Sequence, residues 1–166
     1  MKNRLLAILL CVFSISAIAQ TENGVNSNFK AKKIKKNNEQ LAKYITQLYN
    51  SNPFEGVKIV EEKDVSYLLS LSVQVVSGHK TSSTMNRVAH IKASRNAMVF
   101  LNGSNITSET IIKTGETVTN NSVSYYETYI DEIKENAAGF LDGMQVLTTF
   151  TSNNGKEYIY IIYKEL

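Results

Sequence analysis

The chain has 166 residues, a formal net charge of +3 and one cysteine. That length suits a single domain. One cysteine excludes an internal disulfide framework and a structural Cys-type zinc site. A charge this small argues against nucleic acid as a partner.

The first residues carry a targeting pattern. Lys2 and Arg4 precede an apolar run from Leu5 to Ile18, and Ala17-Ile18-Ala19 fits a small-x-small cleavage site before Gln20. A signal peptide is therefore expected over 1–19, and the chain is expected in the periplasm or on the outer-membrane surface. The run is short of the ~20 residues that a membrane span needs, so no transmembrane segment is expected after cleavage. Cys11 lies inside the run behind Leu10, where a lipoprotein signal carries a small residue. Lipid attachment there is not expected, and the mature chain then has no thiol for catalysis.

Residues 20–28 are polar and read as a disordered leader. Residues 29–52 read as an N-terminal helix. Ile34, Leu41, Ile45 and Leu48 share one face, and Asn52-Pro53 ends the pattern. Lys30, Lys32, Lys33, Lys35 and Lys36 crowd its first turns, where they oppose the helix dipole. They read as a solvated end, with anionic lipid or glycan contact as the sharper alternative.

Residues 53–166 read as an α+β domain. Val57 to Val60 suits a short strand, followed by a charged break at Glu61–Asp64. Tyr67, Leu69, Leu71, Val73 and Val75 alternate with Ser70, Ser72 and Gln74, which predicts a strand with one wet face. Ser82 or Ser83 can cap a helix over Thr84–Leu101, with Met85, Ala89, Ala93, Ala97, Phe100 and Leu101 on its packing face. Asn102-Gly103 stops it. Ile91 and Met98 fall on the opposite side. Ile106 to Val118 is β-prone, with a bend at Gly115.

Val123, Tyr126, Ile130, Ile133 and Ala137 predict a second core helix over Ser122–Ala138, ended by Gly139. The chain closes in two β-prone runs around Asn154-Gly155, the strongest short hairpin signal. That turn pairs Phe150 with Ile159, Thr148 with Ile161 and Val146 with Tyr163 on one face. On the other it pairs Thr151 with Tyr158, Thr149 with Tyr160 and Leu147 with Ile162. The expected fold is a two-layer α+β sandwich. A mostly antiparallel sheet of about four strands carries two helices on one face (β-α-β-α-β-β), with the N-terminal helix added.

Lys92-Ala93-Ser94-Arg95-Asn96-Ala97, Ala137-Ala138-Gly139-Phe140-Leu141-Asp142-Gly143 and the closing hairpin, taken together, resemble the LPP-type family of small bacterial surface lipoproteins. They also resemble the related N-terminal domain of the flagellar assembly protein FlgT. The resemblance covers Tyr67 to Leu166. It implies an envelope α+β domain that acts through contacts, as in assembly of a surface structure. The chain departs from it in lacking a well-placed lipid cysteine.

No catalytic or metal-ligand spacing stands out. His79 and His90 are the only histidines, and no Gly-x-Ser-x-Gly or phosphate loop occurs. Asp131 and Glu135 could form a carboxylate pair, but read as a solvated helix edge. No cofactor, no metal and no enzymatic activity are expected. The expected function is non-catalytic docking of an envelope protein or glycan through the sheet face or edge. A small hydrolase or ligand-binding domain is the alternative. The residues expected to carry docking are Ser70, Ser72, Gln74, Thr149, Thr151, Tyr158 and Tyr160, the uncharged hydroxyl-rich face of the sheet. The competing expectation is that the N-terminal helix covers that face.

Overall fold

The computed structural model describes residues 38–166 except 77, 79, 80, 104 and 116. The signal peptide, the leader, the lysine run and His79 lie outside the described residues. The chain divides at Leu41/Ala42, and every described strand belongs to the unit Ala42–Leu166.

Five strands form one mixed sheet: β1 (Gly56–Glu62), β2 (Val65–Val75), β3 (Ile111–Lys113), β4 (Gln145–Ser152) and β5 (Glu157–Glu165). Their order is β3-β1-β2-β5-β4, and only β3 runs parallel to its neighbour. The helices are α1 (residues 38–51), α2 (Ser82–Gly103), α3 (Asn120–Lys134) and α4 (Ala137–Asp142). This is the expected α+β sandwich with one strand more.

The added strand pairing is the β1–β2 hairpin. The charged break is a tight turn in which Lys63 and Asp64 both take positive φ, 51° and 64°. Glu62 pairs with Val65 directly across it. The second hairpin follows its turn signal. Asn154 and Gly155 have φ of 55° and 79°, and the Lys156 amide donates to the Asn153 carbonyl at 3.1 Å. Phe150–Ile159, Thr148–Ile161, Thr149–Tyr160 and Thr151–Tyr158 pair as expected. A bulge at Leu147 then shifts the register. Val146 meets Ile162 and Gln145 meets Tyr163, which corrects the Val146–Tyr163 and Leu147–Ile162 pairs.

α2 is longer than expected at both ends. Thr81 accepts from the Thr84 amide at 3.3 Å, in place of a cap by Ser82 or Ser83. Ala89, Ala93, Ala97, Phe100 and Leu101 are buried, as the packing face requires. The second predicted helix is two. α3 is capped by Thr119 and ends at Lys134; α4 restarts with Asn136 as cap, its Oδ1 accepting from the Gly139 amide at 3.2 Å. Gly139 therefore lies inside a helix rather than ending one. α2 and α3 share a core with the sheet: Ile59, Leu68, Ile111, Phe100, Leu101, Tyr126 and Ile130 form one buried cluster.

The other sheet face holds Tyr67, Leu69, Leu71, Ile159, Ile161 and Tyr163, all buried. Tyr49 of α1 meets Phe150 on that face edge-on, with ring centroids 5.6 Å apart. Among the described residues no helix is long and apolar enough to cross a membrane.

Candidate functional site

The strand residues expected to form an open polar face are covered by α2. Ser70 Oγ donates to the Ala93 carbonyl at 2.6 Å, Ser72 Oγ to the Ala89 carbonyl at 2.9 Å, and Gln74 Nε2 to the Met85 carbonyl at 3.2 Å. Ser70 and Ser72 are fully buried and Gln74 nearly so. Tyr160 is buried beside them, in a cluster with Ala89, Ala93 and Ile162. Its ring stands edge-on to His90 at 6.0 Å, and burial raises its hydroxyl pKa, with Tyr158 adding to the shift. Tyr158 is half-buried and donates to Asn86 Oδ1. Ser70, Ser72, Gln74 and Tyr160 are thus corrected from surface to interior.

The physical reason is a match of spacings. Four helical residues advance about 6.0 Å and two strand residues about 6.6 Å. Met85, Ala89 and Ala93 run opposite to Gln74, Ser72 and Ser70. The alanine side chains are short enough to let hydroxyls reach the helix backbone. Alternating serines opposite alanines spaced by four was the signal available in the sequence. The competing expectation is corrected as well, since Tyr49 of α1 meets the opposite face, away from Tyr158 and Tyr160.

Thr149 and Thr151 remain exposed. They lie on β4, the last strand of the sheet, with Val146 on the same side and 50 % exposed. β4 reads Gln-Val-Leu-Thr-Thr-Phe-Thr-Ser, eight residues without a charge. Edge strands usually carry a charge or a proline against unwanted pairing, and β4 has only its bulge. Its outer backbone edge has no partner strand among the described residues.

A second polar feature was not foreseen. An open cleft of about 170 Å³ is lined by Asp64, Ser66, Tyr125, Tyr126, Tyr129 and Glu165, among others. Tyr125 is 62 % exposed and stacks on Tyr129, ring centroids 6.4 Å apart and planes 23° from parallel. Below them the Tyr126 hydroxyl donates to Glu61 Oε2 at 2.8 Å and lies 2.7 Å from Ser66 Oγ. Glu61 also pairs with Lys113 at 3.1 Å.

Burial is the main cause that pushes the Tyr126 pKa up to about 12; Ser66 opposes it and Glu61 adds to it. The Tyr126 hydrogen bond is the first cause of a lowered Glu61 pKa, with Lys113 assisting against burial. At neutral pH the tyrosine is a fixed neutral donor and the glutamate a fixed anion. Each has its partner, so the set holds α3 to the β1–β2 hairpin. The sequence placed Tyr126 in the core but gave no sign of its polar partners.

His90 is exposed on α2, and Asp131 is exposed and ion-paired to Lys134 at 2.6 Å. Asp131 and Glu135 thus lie on the solvent side of α3. Among the described residues no His, Cys, Asp and Glu side chains gather in a group of three that could hold a metal ion. The chain matches no family model, no curated protein and no solved structure.

Proposed function

We propose that this is a non-catalytic exported domain that docks an extended segment of an envelope protein along the free edge of β4. The observation that carries this reading is the uncharged β4 edge, which has no partner strand among the described residues, with Val146, Thr149 and Thr151 exposed beside it. A free strand edge offers alternating amides and carbonyls, which recognise a peptide backbone, and adjacent side chains set specificity. This favours a protein over a glycan at the edge. The resemblance of Tyr67–Leu166 to envelope domains that act through contacts supports the same reading.

The test is site-specific photocrosslinking from position 149 in intact envelopes of the source cell, with exposed Ala138 as control. One partner protein is expected from position 149 and none from 138. The pair Thr149→Lys and Thr151→Lys, read with the crosslinker at position 145, should abolish the product with melting unchanged. Equal crosslinking from both sites, or full capture by the lysine variant, overturns the proposal.

The cleft supports a second reading, a small-ligand site. Parallel aromatic rings beside carboxylates suit stacking against a sugar ring. Titration of the domain with soluble glycans, followed by chemical shifts of Tyr125 and Tyr129, tests it. Shifts confined to these rings support it, and none across the panel removes it.

A further inference from the structure

The helix layer is divided by charge. α2 contains Arg87, His90, Lys92 and Arg95 and no acidic residue in its 22 positions. Arg87, Ile91, Arg95 and Met98 recur at four, four and three, which places them on one outward stripe. Ile91, Met98 and Val99 on this side are 60 %, 50 % and 59 % exposed.

α3 has the opposite character. Its outward residues include Asp131 and Glu132, with Glu135 just past its end; all are exposed, and Glu127 is exposed on its flank. Lys134 is its one basic residue and is occupied by Asp131. Both helices pack on the same sheet face through one core. A basic, partly apolar stripe and an acidic stripe therefore lie in one layer, both facing solvent.

We propose that this layer is a self-complementary surface that joins two copies of the chain about a two-fold axis. A two-fold operation is isologous: whatever α2 meets on the second copy, that copy's α2 meets on the first. Each basic α2 then lies against the partner copy's acidic α3, and the contact is made twice. Ile91, Met98, Val99 and the exposed Tyr125 leave water in the same step. An anionic membrane is the competing occupant for a basic apolar helix. The acidic α3 in the same layer would be repelled by such a surface, whereas a second copy satisfies both stripes. The β4 edge is on a different element, so this inference is independent of docking at that edge; it shares only Tyr125 with the cleft.

Sedimentation velocity of the purified full chain tests it. The wild type should show a concentration-dependent dimer that weakens as salt rises. Arg87→Glu with Arg95→Glu should weaken it at least about tenfold, and so should Glu132→Lys with Glu135→Lys. All four residues are exposed, and far-ultraviolet circular dichroism checks that both variants stay folded. Mixing the two weakened variants should give a heterodimer, because each supplies the charge the other lacks. A monomeric wild type at low salt overturns the proposal. So does a dimer indifferent to both reversals, a mixture that stays monomeric, or binding of wild type to phosphatidylglycerol vesicles with no dimer.

Discussion

Ser72 Oγ donates to the Ala89 carbonyl at 2.9 Å, and neither residue is exposed. The carbonyl belongs to a helix turn, so the serine adds to the helix ladder without replacing a rung. Ser72→Ala should therefore cost about 0.5–1.5 kcal/mol, the net value of one hydrogen bond. A urea midpoint equal to that of the wild type would show that the bond contributes nothing.

Ala93 sits where the helix comes closest to Ser70, with its carbonyl 2.6 Å from the serine hydroxyl. Ala93→Phe has no room and must lift α2 from the sheet. We expect a loss of roughly 1–3 kcal/mol from overpacking. Unchanged denaturation would place Ala93 outside the interface.

The Glu61–Tyr126 pair gives stability a pH signature at both ends. Glu61 has a lowered folded pKa, so its contribution is present above the unfolded carboxylate value and lost as pH falls through the folded one. Tyr126 has a raised folded pKa, so its contribution is present below about 10 and lost as pH rises toward about 12. Tyr126→Phe should make both limbs shallower, the alkaline one only in part because burial also raises Tyr49, Tyr67 and Tyr160. Melting temperature against pH for both proteins checks this, and parallel curves would remove the claim.

Lys63 and Asp64 form a tight turn at positive φ without a glycine. Such a turn favours Asn-Gly. Lys63→Asn together with Asp64→Gly should raise stability by about 1 kcal/mol, since each L residue held in the left-handed region costs about that much. A lower denaturation midpoint would mean that the native side chains contribute more than the backbone loses.

Export predicts a mature chain that starts at Gln20. N-terminal sequencing of protein from the source cell reads this directly. A retained Met1 would remove the envelope setting on which the docking proposal rests.

Much of the architecture was legible because periodicity and turn chemistry are local. Asn154-Gly155 set the closing register as far as Thr148, and Ala89, Ala93 and Ala97 marked the packing face of α2. The bulge at Leu147 left no trace, since a β-prone run looks the same with or without an extra residue. The β1–β2 turn was hidden by its lysine and aspartate. Asn136 split one predicted helix because its cap bond competes with continuation, and the apolar spacing runs through it unchanged.

Ser70, Ser72 and Gln74 lie inside and not on a wet face for one reason. Alternating hydroxyls signal water only if nothing else accepts from them, and here the acceptors are carbonyls of a helix distant in sequence. Thr149 and Thr151 stayed outside because α2 lies over β2 and β5 and stops short of the edge strand.

The three bonds from Ser70, Ser72 and Gln74 fix α2 like teeth on a rack. Their acceptors repeat every fourth residue, so a slide by one, two or three residues breaks all three at once. Only a jump of a whole turn could re-engage them; in one direction it would drive Met85 into the place of buried Ala89, and in the other it would leave the place of Met85 filled only by Ala89. α2 is consequently held in discrete longitudinal positions, not in a continuum. A slide of less than a turn therefore loses all three bonds together, whereas a tilt of α2 can break them one at a time.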